Sequence, residues 1–339
     1  MVYMQMQNQI PMATLTTMQL GGPAKNVVSV QNKNELVEAI NFAKQTNLPI
    51  LVLGDGSNMI VRDEGFAGLV ILNRITGFEV LPDGVSVKIG AGENWDEVVG
   101  KSVELGLSGI EALSAIPGRA GATPVQNVGA YGQEISQTFV ELQAYDTKTD
   151  DFVVLSKKDC QFSYRNSIFK PLAGRRYIII DITLKLSKSQ LKPPFYPRLQ
   201  KYFDDNKITD YSPAQIRKAI TEIRSAILPD PKKIANTGSF FKNPIVTEED
   251  AENLLKIAPN APHWPMPDSQ VKFAAGWLVD QAGLKGYSAH GMKTYEKNAL
   301  VFVNESAKSY KDLKAFQDEI VKKVYNKFGI TLEQEPELL

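Results

Sequence analysis

Residues 116–132 read IPGRAGATPVQNVGAYG, with glycine at Gly118, Gly121, Gly129 and Gly132 and a single charged side chain, Arg119. Such a stretch makes a poor core, because glycine buries no side chain and loses more backbone entropy than any other residue. It is also unlike a plain surface loop of this length, which would carry more charge. It suits a backbone that must approach a flat or charged ligand closely. A chain that carries it needs rigid elements on both sides, and the flanking sequence supplies their patterns.

Upstream, Leu36, Val37, Ile40 and Ala43 recur at helical spacing and predict a helix over 34–46. The apolar run Ile50-Leu51-Val52-Leu53 predicts a strand, stopped by Gly54-Asp55-Gly56-Ser57-Asn58, and 59–73 reads as two short strands about a turn. Val85, Val87 and Ile89 alternate as in a strand, and 94–104 is a helix with Trp95, Val98, Val99 and Val103 on one side. Downstream, Ile178, Ile180, Ile182, Leu184 and Leu186 alternate with Asp181, Thr183 and Lys185, a half-buried strand. The stretch 191–211, with Pro193, Pro194 and Pro197, reads as a long loop holding at most a short helical turn. Ser212-Pro213-Ala214-Gln215 is a capping box that opens a helix with Ile216, Ala219, Ile220, Ile223 and Ile227 as its stripe.

Beyond Pro229-Asp230-Pro231 the reading is a helix over 272–281 closed by Gly283, then a strand over 299–304. A long helix follows, with Leu313, Phe316, Ile320 and Val324 on one face and Gly329 as its stop. The tail ITLEQEPELL is free to return as a strand. No repeat or low-complexity tract interrupts this α+β alternation.

Composition removes whole classes of chemistry. His263 and His290 are the only histidines and Cys160 the only cysteine, so a His-rich metal site and a thiolate zinc cluster are excluded, and no metal is expected. A Ser-His-Asp triad would need one of those two histidines, and no G-x-S-x-G elbow is present. Lys+Arg and Asp+Glu both number 38, so no broad basic footprint for nucleic acid exists. One cysteine permits no intramolecular disulfide, which is compatible with a reducing compartment. No apolar run reaches the ~20 residues of a membrane span, and the first basic residue is Lys25, so a secretory leader is not expected. The expectation is a cytoplasmic protein.

Four motifs carry candidate chemistry. The run 54–59 (GDGSNM) fails as a dinucleotide fingerprint, because Met59 holds the last glycine position and strand rather than helix follows. Its backbone N–H groups can still form an anion nest for phosphate, against the blander reading of a hairpin turn. In 164–170 (YRNSIFK), Arg165 is placed among aromatic and apolar residues and suits a carboxylate or phosphate; a surface arginine is the ordinary alternative. In 236–244 (NTGSFFKNP), Ser239, Lys242 and Asn243 stand beside two aromatics, and a turn serine is the commoner case. Glu333, Glu335 and Glu337 in the tail also fit a solvated acidic end. Spacing alone does not bring Arg165, Ser239 and Glu335 together.

As a set these motifs do more. LGDGSN at 53–58, IPGxxGxxPxQNxGAYG at 116–132, YRxSxF at 164–169, GSFFKNP at 238–244, AGWLxDQxGLKG at 275–286 and the Glu-rich tail stand in the order found in UDP-N-acetylenolpyruvoylglucosamine reductases. The chain resembles that family from about residue 17 to its C-terminus, and the loop with Tyr196 is similar to that of the type I subgroup.

The resemblance implies an FAD-binding region of two α+β subdomains of the vanillyl-alcohol-oxidase type, at 1–73 and 74–225, with a substrate loop at 191–211. An α+β substrate-binding domain at 226–328 follows, and the tail from about 329 to 339 would return to the first subdomain. FAD is expected non-covalently on Gly54, Asp55, Gly56, Ser57 and Asn58, and on Ile116, Pro117, Gly118, Gly121, Ala122, Gln126, Asn127, Gly129, Ala130, Tyr131 and Gly132. NADPH would reduce FAD, and UDP-N-acetylglucosamine enolpyruvate would then receive hydride from the flavin and a proton from Ser239. Arg165 would stabilise the enolate charge, and Glu335 would help to hold it. Tyr196, Arg224, Lys242 and Asn243 are the expected substrate contacts. A monomer with no nucleic-acid partner and no membrane insertion is expected.

Some positions depart from the family pattern. The tail reads Leu332-Glu333-Gln334-Glu335-Pro336-Glu337 in place of Leu-Glu-Pro-Glu; counting from Gly329 selects Glu335, while alignment on the proline selects Glu337. Arg119 is unexpected at its position. Ile227 falls near a point where some relatives carry a lysine, so Arg224, Lys232, Lys233 or Lys242 would supply charge to the UDP diphosphate. Two other functions compete. A flavin-dependent alcohol oxidase of the same fold would often hold FAD through His or Cys, and neither lies in the FAD motifs. A non-catalytic nucleotide-sugar binder would carry no flavin.

Overall fold

The computed structural model describes residues 5–339; the reading of the N-terminus rests in part on residues 1–4, which lie outside them. The chain forms two compact units. The first comprises the described residues up to Asn8, Lys25–Asp55 and Ala67–Arg224, and the second Gln9–Ala24, Gly56–Phe66 and Ser225–Leu339.

In the first unit the helix Lys33–Gln45 is capped by Asn32, whose side chain accepts from the Glu35 N–H. Its buried face, Leu36, Ala39, Ile40 and Ala43, packs with Val28, Val30, Leu69 and Ile71. Ile50–Leu53 pairs in parallel with Phe66–Asn73, Leu53 opposite Leu72, so the strand delivers Gly54 at its C-terminal end. A second, antiparallel sheet has the order Asp151–Ser156, Phe139–Asp146, Tyr177–Lys185, Ser86–Gly90, Phe78–Val80. The helix Trp95–Glu104 starts on the cap Asn94 and buries Trp95, Val98 and Val99 against this sheet.

The strand Tyr177–Lys185 corrects the sequence reading. It is buried on both faces rather than on one. Ile178 and Ile180 join the cluster around Leu36, while Ile182 and Leu184 join the cluster around Trp95, so one strand serves two cores. Asp181 tolerates this because Lys88 Nζ lies 3.3 Å from its carboxylate. The stretch 191–211 is corrected too. It holds a nine-residue helix, Pro197–Asp205, started by Pro197 and anchored by Leu199 and Phe203 one turn apart. The helix Pro213–Ile227 follows as expected, the Gln215 N–H donating to Ser212 Oγ at 3.4 Å.

The second unit is built around phenylalanine. Asn236–Ser239, Asn298–Asn304, Met292–Tyr295 and Ser288–Ala289 form an antiparallel sheet in that order. The helix Tyr310–Phe328 lays Leu313, Phe316, Ile320 and Val324 into the same core and ends on Gly329 at φ 71°, the left-handed conformation that glycine adopts without strain. Here the expected helix over 272–281 is split. Gln270–Phe273 is a strand between Ile245–Thr247 and His263–Met266, and only Ala275–Gln281 is helical. The alternation of Val271 and Phe273 favours a strand, and helix begins only where small and apolar residues resume. The tail returns as a strand, Glu337–Leu338 pairing in parallel with Met59–Ile60. Among the described residues no helix is long and apolar enough to cross a membrane.

Candidate functional site

The first unit carries the turn after Leu53 up to Asp55, the Gly-rich stretch and the Arg165 segment. Gly121 shows why the stretch must be bare: a Cβ there would stand 2.5 Å from Ala91 Cβ, just past the end of the strand Ser86–Gly90. The backbone is pinned to the turn after that strand by Ala120 N–H to Glu93 O at 2.9 Å and Gly121 N–H to Ala91 O at 2.9 Å. Outward, Pro117, Ala122 and Gly132 are exposed, and Ile116, Gln126, Gly129 and Ala130 are half-buried.

Charge gathers at one end of this surface. Arg119 Nε donates to Asp55 Oδ1 at 2.7 Å, and Arg74 Nη2 lies 3.4 Å from the same oxygen. Arg119 Nη1 also donates to Gly92 O (2.9 Å), and Arg74 Nη1 to Gly54 O (3.0 Å). Burial, together with the neighbouring Arg119 charge, lowers the Arg74 pKa below the ordinary arginine range, and Asp55 offsets this only in part.

Arg165 sits at φ 52°, a left-handed conformation that costs a non-glycine residue energy and is met most often where structure over-determines it. Three bonds hold its turn against the Gly-rich stretch. Arg165 Nη2 donates to Gly129 O at 2.8 Å, Asn127 Nδ2 to Ser163 O at 3.1 Å, and Ser167 Oγ to Val125 O at 2.6 Å. Asn127 also accepts from the Ser136 N–H at 3.1 Å and is 1% exposed. Its amide is therefore spent within the protein.

Tyr131, at φ 49°, meets Tyr196 edge to face with ring centroids 5.6 Å apart. Its hydroxyl bonds Arg198 and Arg224; burial pushes its pKa up, against the pull of those cations. Burial likewise lowers the pKa of Arg224, whose Nε donates to Ala115 O at 3.3 Å. Tyr196 caps the helix Pro197–Asp205 and is 42% exposed. Sequence reasoning overlooked Arg198 and Arg74; neither lies in a motif, and only the tertiary structure shows their neighbours.

The second unit carries Gly56 to Asn58, Ser239, Lys242, Asn243 and the tail. Gly56, at φ 60°, admits no side chain, since a Cβ would stand 2.3 Å from Leu15 O. Phe240 and Phe241 are core anchors, Phe240 stacking on Phe302 at 4.1 Å, and so fix the backbone immediately after Ser239. Asn243 Oδ1 accepts from the Ala275 N–H at 3.0 Å, and Lys242 Nζ pairs with Glu333 Oε2 at 2.7 Å. The tail is zipped to this segment. Lys242 N–H donates to Glu333 O at 2.9 Å, Phe241 bridges Gln334, and Glu335 N–H donates to Phe240 O at 2.9 Å. Glu335 thus lies opposite the neighbour of Ser239, whereas the Glu337 N–H donates to Asn58 O at 2.9 Å.

These residues suit a flavin nucleotide. A bare, partly apolar backbone faces outward for a flat ring, a glycine turn ends a strand, and beside it lies a cluster of two guanidiniums on one carboxylate. Fold and site define an FAD-binding flavoprotein, and the family model described as "FAD binding domain" matches residues 24–151. A second model, the C-terminal domain of UDP-N-acetylenolpyruvoylglucosamine reductase, matches residues 230–339. The reductase of that name from Cupriavidus pinatubonensis is 40% identical over 318 residues, covering 93% of this chain and 94% of its own. That of Thermobifida fusca is 39% identical over 347 residues, covering 97% of each. The crystal structure of the Thermus caldophilus reductase matches with a TM-score of 0.69 at 24% identity, over 99% of both chains, which shows the fold. The chain belongs to the UDP-N-acetylenolpyruvoylglucosamine reductase family. It is an FAD-dependent oxidoreductase of peptidoglycan synthesis with the α+β fold that its motifs implied.

Proposed function

We propose that this chain uses NADPH to reduce UDP-N-acetylglucosamine enolpyruvate to UDP-N-acetylmuramate, in the cytoplasm and as a monomer. The observation that supports it most is the zipped tail, which carries Glu335 to the segment of Ser239 and favours Glu335 over Glu337 as the tail acid. When bound, FAD supplies the two-electron shuttle between nicotinamide and enolpyruvyl group. Gly54, Asp55, Gly56, Ser57 and Asn58 would take its diphosphate, and the exposed backbone from Ile116 to Gly132 its ring. Asn127 contributes by positioning rather than by contact, because its amide is buried and bonded.

The chain's own groups then divide the work. Arg165, oriented by Gly129 O, offers its guanidinium charge to the negative charge that develops next to the substrate carboxylate. Ser239 Oγ gives the proton to carbon, its backbone held by Phe240 and Phe241. Glu335 helps to hold the enolate. Tyr196 covers the UDP-sugar, with Arg224, Lys242 and Asn243 toward it. Lys242 is already paired with Glu333, so its charge is shared. Subdomains at 1–73, 74–225 and 226–328 complete the reading.

Rapid mixing separates the two half-reactions. Ser239→Ala should slow oxidation of the reduced enzyme by the enolpyruvyl substrate by about 10²–10⁴, with reduction by NADPH near its usual rate. A wild-type enzyme that never turns over the enolpyruvyl sugar would refute the function. An alanine variant as fast as wild type would remove only the proton donor.

A further inference from the structure

We propose that Arg119 and Arg74, gathered on Asp55, form the cation site that holds the FAD diphosphate in this chain, with Arg119 setting flavin affinity. This rests on the reading that the glycine turn beginning at Gly54 carries that diphosphate.

The argument starts from charge balance. Two guanidiniums share one carboxylate oxygen, at 2.7 Å and 3.4 Å, so the cluster keeps one positive charge. The side chains of Arg74, Asp55 and Arg119 are only 27%, 27% and 26% exposed. A purely structural ion pair needs one arginine. The second adds repulsion between like charges that are largely out of water; burial first and the Arg119 charge second lower the Arg74 pKa. A diphosphate is the anion that would relieve the imbalance.

The cluster is also preorganised. Carbonyls of Gly92, Gly54 and Asn73 accept from the two guanidiniums at 2.9, 3.0 and 3.0 Å, so both forks are oriented without a ligand. Planar forks match phosphate oxygens, and a fork already fixed loses little entropy on binding. Gly54 lets Arg119 lie against the turn, since a Cβ there would stand 3.3 Å from Arg119 Cγ. Arg119 stands at a variable position of the Gly-rich motif, so flavin affinity here draws on a residue outside the motif's fixed letters.

The test is the FAD dissociation constant of the full-length holoenzyme, read from flavin fluorescence on dilution. At low salt Arg119→Met should weaken FAD by about 10–100-fold, the worth of a hydrogen bond to a charged group. The gap should narrow at about 1 M salt, where charge interactions are screened, and Arg119→Lys should recover part of it. Arg119→Gln, which keeps hydrogen-bonding capacity without the charge, should stay weak at low salt, since the site needs the cation. Equal affinity of Arg119→Met and wild type would overturn the proposal. So would a loss in Arg119→Met that is the same at low and at about 1 M salt and is not recovered in Arg119→Lys, the mark of a structural pair. A wild-type protein without FAD would instead remove the flavin reading itself.

Discussion

Asn127→Ala isolates what holds Arg165 in place. In the native chain Asn127 is 1% exposed, at φ 47°, and spans two backbone groups: it accepts from the Ser136 N–H and donates to the Ser163 carbonyl, both at 3.1 Å. Alanine leaves the buried Ser136 N–H without this partner, at about 1–3 kcal/mol. The loss at Ser163 is smaller, because that residue is exposed and water can replace the bond. Alanine also tolerates left-handed backbone less well than asparagine, adding about 1 kcal/mol. The total is about 2–4 kcal/mol, read by urea unfolding of the holoenzyme. Asn127→Gly should recover the backbone part alone. Function should follow the geometry: the Ser163 bond lies two residues from Arg165, so oxidation by the enolpyruvyl substrate should slow far more than reduction by NADPH. A variant within about 0.5 kcal/mol of wild type, or one that slows both half-reactions equally, would refute the reasoning.

Arg165→Lys keeps the charge but loses the planar fork that bonds Gly129 O, and turnover should fall by about 10²–10³, measured at saturating substrates; near-normal turnover would remove Arg165 from the site. Tyr196→Phe should raise KM for the UDP-sugar and leave FAD reduction by NADPH largely intact, and equal damage to both would place the residue elsewhere. Burial, with a smaller contribution from Asp159, pushes the Cys160 thiol up to about 12. Its native alkylation should therefore stay slow across pH 7 to 9, whereas the unfolded chain should react quickly and level off as pH rises past about 8.5; fast native labelling at pH 8 would contradict its burial.

Much of this protein is local, and local features are legible in a sequence. The helices Lys33–Gln45 and Tyr310–Phe328 follow from one-sided apolar spacing and their caps, because helical hydrogen bonds close within the element. The Gly-rich stretch announces itself because only glycine admits such close approach. Motif order carried the family, the flavin and the fold class.

Other features depend on partners distant in sequence. The strand Tyr177–Lys185 reads as half-buried because alternation reports only one face, while the second core that covers it comes from the helix Lys33–Gln45. Gln270–Phe273 reads as helix because its strand character depends on pairing with Ile245–Thr247 and His263–Met266. The choice between Glu335 and Glu337 turns on the tail's register against Phe240, and a register is set by hydrogen bonds between segments far apart in the chain. Asn127 stands in the motif as a candidate ligand contact, and only packing reveals that its amide bonds Ser163 O and the Ser136 N–H. The pairing of Arg119 with Asp55 has the same origin: two loops far apart in sequence meet because two sheets position them, and the charge balance between them exists only in three dimensions.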